Sequence, residues 1–252
     1  MKVVIIGGTG LIGSKLVTKL REHGHESVPA SPDTGVNTLT EQGLADVLQG
    51  ASVVVDVSNS PSFEEKAVLD FFTTSTRNIL KCAAAAGVTH YVALSVVGTE
   101  RIPDSPYLRA KNAQERLIKS GGIAYSIVHA TQFFEFVERI ADDATVGTTV
   151  RVPPVLFQPI AADDVAKAVG RVALSPPVNG TIEVAGPQQF RFDELIRQGL
   201  AAHHDPREVV ADPRARYFGA ELAERSLIPW GEARLGDIRF DEWLAHPALQ
   251  QR

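Results

Sequence analysis

The sequence predicts an α/β chain built on a doubly wound parallel sheet, and three observations predict it. Short runs of β-branched and apolar residues recur, helical patterns separate them, and the first run passes directly into a glycine-rich turn. The runs are VVII (3–6), ESVPA (26–30), SVVVDV (52–57), THYVALSV (89–96) and AYSIVH (124–129). Strands at this spacing need crossover connections, and apolar strands without clean alternation suit a sheet covered by helices on both faces. The architecture is Rossmann-like.

Segments 11–23, 40–49, 63–86 and 106–120 supply the helices between those strands. Beyond them the sequence predicts a strand near VLFQPI (155–160), a helix from Ala162 to Leu174, a strand TIEVA (181–185) and a helix from Phe192 to Ala201. The chain then turns to short pieces rich in proline, arginine and aromatic residues. The expected organisation is a first domain over 1–150, with sheet elements recurring around 155–185, and a small C-terminal α/β lobe over 186–252 that carries or closes over substrate.

Composition narrows the function. With 252 residues, 44% hydrophobic and 22% charged, the chain is long enough to bury a sizeable core. A net charge of −5 and a pI of 5.8 offer no basic footprint for a nucleic-acid backbone. The single cysteine, Cys82, excludes an intramolecular disulfide and suits a reducing compartment. Val3 to Ile6 is too short for a membrane span or a signal-peptide core. The expectation is a cytoplasmic protein with a small-molecule substrate, no nucleic acid and no membrane partner. The sequence does not set the oligomeric state, a homodimer being one option.

The strongest motif is GGTGLIG, Gly7 to Gly13, between the first strand and the first helix. Its spacing allows a tight turn at Gly7, a close backbone approach to a diphosphate around Thr9, Gly10, Leu11 and Ile12, and close helix packing at Gly13. The phosphates would lie over the free N–H groups and positive dipole end of that helix. The first domain is therefore expected to bind NAD(P). Cofactor choice falls at the end of the second strand, VPASPDTG, where an acid would hold the ribose 2′-hydroxyl. Asp33 lies beyond a proline and reads as misplaced, whereas Ser31 can donate to a 2′-phosphate, so NADP(H) is favoured over NAD(H). Asn59, in DVSNSPS after the third strand, either contacts the adenosine side of the cofactor or simply starts the next helix.

Chemistry is expected from Ser95, Tyr107 and Lys111. Ser95 lies near the carboxyl end of the fourth strand. Ser105 and Pro106 mark a helix start, which puts Tyr107 in the first turn. Residues four apart differ by only about 40° around a helix, so Tyr107 and Lys111 share a face. A phenol has a pKa of about 10, and a nearby ammonium and helix N-terminus would favour its ionised form. Ser95 would then orient a substrate oxygen, Tyr107 exchange its proton, and Lys111 bond the nicotinamide ribose. The competing reading is an ordinary amphipathic helix, with Ala110, Ala113, Leu117 and Ile118 as its apolar stripe and Lys111 paired with Glu115.

The chain resembles the short-chain dehydrogenase/reductase superfamily, and within it the atypical NmrA-like NAD(P)-binding branch. The resemblance rests on GGTGLIG (7–13), GVTHYVALSVVG (87–98), YLRAKNAQERLI (107–118), YSIVHATQFFEF (125–136) and PIAADDVAKAV (159–169), and spans roughly residues 1–175. It implies an extended Rossmann fold, bound NAD(P), and an oxidoreductase of small carbonyl or quinone-type substrates. A non-catalytic redox sensor or regulator and a cofactor-retaining epimerase or isomerase are the alternatives. The superfamily's tyrosine, lysine and serine fall on Tyr107, Lys111 and Ser95. His129 stands where branch members often carry arginine, and it exchanges a fixed positive charge for a neutral hydrogen-bonding ring.

Other candidates carry less. Gln132 and Phe133, after the fifth strand, line a pocket or pack the lobe. Asp163 and Asp164 read as caps of the following helix. His203, His204 and Asp205 lack the spaced partners of a metal site and read as a solvated turn, so no metal is expected.

Overall fold

In a computed structural model of the protein, residues 1–246 and 249 are described. In chain order the elements are β1 (Lys2–Ile6), α1 (Leu11–Glu22), β2 (Glu26–Ala30), α2 (Leu44–Leu48), β3 (Val53–Asp56), α3 (Glu65–Ala85), β4 (His90–Val96), α4 (Pro106–Ser120) and β5 (Tyr125–Ala130). There follow α5 (Val137–Asp143), β6 (Thr145–Val146), β7 (Thr149–Val152), β8 (Leu156–Phe157), α6 (Ala162–Ala173), β9 (Gly180–Ala185), β10 (Phe190–Arg191), α7 (Phe192–Ala202), β11 (Glu208–Ala211), β12 (Arg234–Leu235) and α8 (Phe240–Ala245).

A seven-stranded sheet runs in the order β12, β9, β5, β4, β3, β1, β2. Pairing is parallel between β1 and β2, β1 and β3, β3 and β4, and β9 and β12. Since β2 and β3 flank β1 on opposite sides, the chain reverses direction there, opening the crevice at which doubly wound sheets bind ligands. Val3 to Ile6 are fully covered, because β1 is central and both of its faces meet helices.

The chain divides into two compact units: Met1–Ser95 with Pro106–His129 and Val165–Ile182, and Val96–Ser105 with Ala130–Asp164 and Glu183–Arg252. In the first, one sheet face is closed by Leu44 and Leu48 of α2, Ile79 and Ala83 of α3 and Ile118 of α4, packed on Val54, Tyr91 and Ile127. On α1, Leu16 lies against Gly170 of α6, where a Cβ would come within 3.3 Å of it. Cys82 belongs to the first core; burial, with Glu41 nearby, pushes its thiol above the ordinary range and leaves it unreactive.

The second unit holds small additional sheets. VLFQPI yields only Leu156–Phe157, which pairs antiparallel with β10 in a separate two-stranded sheet. A third sheet joins β11, β7 and β6. Phe134, Phe240 and Trp243 form one aromatic cluster, and Phe157, Phe192 and Tyr217 another. Asp164 does not cap its own helix by these contacts: it accepts the backbone N–H groups of Asp237 and Ile238, while Glu135 accepts that of Ala162. Asp205 is committed to Arg207, and His203 faces Glu138. Trp230 is largely exposed, with Arg101 over its ring. No helix among the described residues is long and apolar enough to cross a membrane.

The glycine turn makes the first-unit fold testable. A Cβ on Gly13 would lie 2.1 Å from the Gly7 carbonyl oxygen, whereas one on Gly10 would keep 3.4 Å. Gly13→Ala is expected to cost about 3 kcal/mol by overpacking, and Gly10→Ala no more than about 1 kcal/mol. Urea midpoints of the two variants check this, and equal midpoints would refute it.

Candidate functional site

Between β1 and α1 the glycine turn packs so closely on neighbouring backbone that side chains would not fit. Gly7 adopts φ +78°, and a Cβ there would lie 2.8 Å from the Ser58 Cα beyond β3. At Gly8 it would lie 2.6 Å from the Pro29 Cα. Gly10 caps α1 without a side chain, no acidic residue occupies the first turn, and helix geometry leaves the N–H groups of Leu11, Ile12 and Gly13 without intrahelical partners. A bare, positively polarised helix start fits an anionic diphosphate.

The turn after β2 approaches this glycine turn. Ser31 is buried, and its backbone N–H is bonded to Thr34 in a one-turn helix over Pro32–Thr34. That turn brings Asp33 back toward the glycine loop: the Thr9 hydroxyl lies 3.1 Å from the Ser31 Oγ and 3.3 Å from the Asp33 carboxylate. Asn59 is exposed and accepts the Ser60 N–H.

Helix α4 sets three polar side chains, Lys111, Gln114 and Glu115, against the sheet and α3 rather than toward solvent. Lys111 is 2% exposed. It donates to the Leu94 carbonyl at 2.9 Å and to Gln114, and its ammonium lies 4.4 Å from the Phe72 ring centroid. Two of its three N–H donors are thus bonded, and the charge also lies over an aromatic face. Gln114 passes the network on to Asp56 at 2.9 Å; Tyr91 and Ser58 donate to the same buried carboxylate.

Tyr107 shares Phe72 with Lys111. Its half-buried ring packs between Phe63 and Phe72, and its hydroxyl has no hydrogen-bond partner among the described residues. Burial raises the phenol well above its usual value, so it stays protonated. Ser95 is drawn elsewhere: it donates to Glu115 at 2.6 Å. His129 Nε2 lies 2.8 Å from the same Glu115 oxygen, and Lys119 3.4 Å from the other. The structure thus joins Ser95 to His129 through Glu115, and Lys111 to Asp56 through Gln114. It makes no hydrogen bond among Ser95, Tyr107 and Lys111.

Gln114 and Asp56 were not singled out from sequence, and Glu115 was expected to pair with Lys111 but binds Ser95, His129 and Lys119 instead. The available signal was the four-residue spacing of Lys111 and Glu115, which puts both on one face. Gln132 and Phe133 lie in the second unit, where the Gln132 Oε1 is buried without a partner and Phe133 stacks on Phe136.

Comparisons with known proteins agree with this fold. A family model described as NAD(P)H-binding matches residues 34–176. The Photosystem II assembly factor Ycf39 of Synechocystis sp. is 23% identical, over 78% of this chain and 66% of that protein, just under two thirds of its length. Among solved structures, MoeE5 in complex with UDP-glucose and NAD aligns at TM-score 0.74 and 19% identity, covering 97% of this chain and 96% of that one. UDP-glucose 4-epimerase of Thermotoga maritima aligns at 0.75 and 17% identity, with 97% and 96% covered.

Lys111 gives a pH test of the buried seam. Burial, opposed by Asp56 and Glu115, lowers its ammonium from 10.5 to about 8. Between these values the unfolded chain binds more protons than the folded one, so this group adds stability as pH rises from about 8 to 10.5. Wild type is expected to gain about 3 kcal/mol relative to Lys111→Met between pH 7.5 and 10.5. Denaturant titrations at the two pH values read the difference; a constant gap would contradict the assignment.

Proposed function

Because the chain belongs to the NAD(P)H-binding family, we propose that it holds a nicotinamide dinucleotide over GGTGLIG and uses it to reduce a small carbonyl or quinone-type substrate. The glycine turn carries this reading. Four glycines let the turn pack tightly on β2 and the segment after β3, and they leave the N–H groups at the start of α1 uncapped by a side chain at the point where the strand order reverses. When bound, the cofactor supplies hydride.

The chain's own residues divide the remaining work. Tyr107 offers the open hydroxyl of α4, and a phenol that stays protonated is suited to hydrogen-bond a carbonyl oxygen rather than to act as a base. Lys111, two of whose donors are already bonded, holds α4 against β4 and α3 instead of gripping ribose. Asp33 shifts the cofactor preference from NADP(H) to NAD(H), because its carboxylate beside Thr9 would repel a 2′-phosphate and can accept from a 2′-hydroxyl.

One observation favours a second reading, a redox-responsive protein that binds the cofactor without turning it over. The Lys111 ammonium, which would otherwise lower the phenol pKa, is committed to protein groups, and relatives such as Ycf39 are named as assembly factors.

Oxidation of NADH and NADPH against quinones, aldehydes and ketones separates the two. The reductase reading expects consumption that falls by about 100-fold in Tyr107→Phe, with the cofactor Kd unchanged. Tight binding without consumption by the wild type favours the redox-responsive reading. Asp33→Ser is expected to move the NADH-to-NADPH Kd ratio by about tenfold toward NADPH, equivalent to about 1.4 kcal/mol; an unchanged ratio would rule Asp33 out as the selector.

A further inference from the structure

We propose that His129 is the proton-exchanging side chain of this site, and that Glu115 is the positioning residue that decides which ring nitrogen does the exchanging. The inference rests on the reductase reading for its chemistry, but not for its geometry.

Ser95 and His129 lie near the carboxyl ends of neighbouring strands, on one sheet face, and Glu115 reaches them from α4. One oxygen of its carboxylate takes both contacts, at 2.6 Å from the Ser95 Oγ and 2.8 Å from the His129 Nε2. Glu115 is 1% exposed. Burial pushes its carboxyl up, but His129, Ser95 and Lys119 outweigh that and hold it at about 2, so it is ionised. An ionised carboxylate only accepts hydrogen bonds. The Ser95 hydrogen must therefore point at Glu115, and the proton of a neutral His129 must sit on Nε2.

Two consequences follow for any ligand at these strand ends. Ser95 presents only lone pairs, so it cannot donate to a carbonyl oxygen while Glu115 holds its hydrogen. His129 presents Nδ1, which has no hydrogen-bond partner among the described residues. The ring is 13% exposed in its side chain. The charged groups that face this pair are Glu115 and Lys119 on α4, with Lys111 a turn earlier. Asp56 on β3 is tied to Tyr91 and Gln114, and Ser95 on β4 is neutral.

The step is a proton transfer. As a substrate carbonyl oxygen gains negative charge, the imidazolium gives it the Nδ1 proton; the ring is left neutral with Nε2–H still on Glu115, and solvent returns the proton. In reverse, the Nδ1 lone pair takes the proton of a substrate hydroxyl. Tyr107, whose phenol burial raises, keeps its proton.

Two readouts test this. Long-range 15N correlation NMR of the pure protein should show neutral His129 protonated on Nε2 and bare on Nδ1. Glu115→Ala should give mixed tautomers, and Glu115→Gln, which keeps an acceptor oxygen, should restore Nε2–H. A wild-type ring protonated on Nδ1, or one indifferent to both variants, overturns the proposal. In the panel assay, His129→Asn and His129→Gln should lose about 100-fold in turnover, with unchanged NADH affinity. Wild-type turnover in both His129 variants would overturn the proposal. If the wild type reduces nothing, the reductase reading has failed by itself, and the NMR arm still decides the placement: Nε2–H supports it and Nδ1–H defeats it.

Discussion

The first unit depends on the burial of charge beneath α4. Lys111, Gln114 and Glu115 enter a space where an unpaired ion would be costly, and each finds a partner fixed by a strand end: the Leu94 carbonyl, Asp56, and Ser95 with His129. Buried pairs of this kind contribute less to net stability than to specificity. A helix rotated or shifted by one residue would leave several of these groups unmatched, so the network sets the register of α4 on the sheet. The apolar contacts of Ile118 and Ala110 tolerate small slips; the polar ones do not.

The glycine turn solves a different problem with a different device. Its geometry comes from omitted side chains, and its electrostatics from the open start of α1. Around it the turn after β2 contributes a negative group, Asp33, 3.3 Å from the Thr9 hydroxyl.

Much of this was legible from sequence. The five strands from Val3 to His129, helices α1, α3 and α4, and the placement of GGTGLIG follow from local periodicity and turn chemistry, which act over few residues. Failures came where distant residues decide. The helical wheel put the buried stripe on Ala110, Ala113, Leu117 and Ile118, yet Gln114 and Glu115 are buried while Ala113 and Leu117 are only partly so. No local rule tells a buried carboxylate from a solvated one when its partners lie on β4 and β5. Asp33 was judged by its distance past a proline, whereas the one-turn helix folds it back to Thr9. VLFQPI reads as a sheet strand because its composition is right, but its pairing partner is the short β10.

The shared carboxylate of Glu115 has a mechanical meaning as well. Strand ends usually fray, and loops attached to them move independently. Here β4, β5 and α4 are cross-braced at that point, and Asp56 and Gln114 extend the brace to β3. A ligand that displaced Ser95 or His129 by a fraction of an ångström would therefore tug on the helix that carries Tyr107. One carboxylate and one amide tie three strand ends to a single helix.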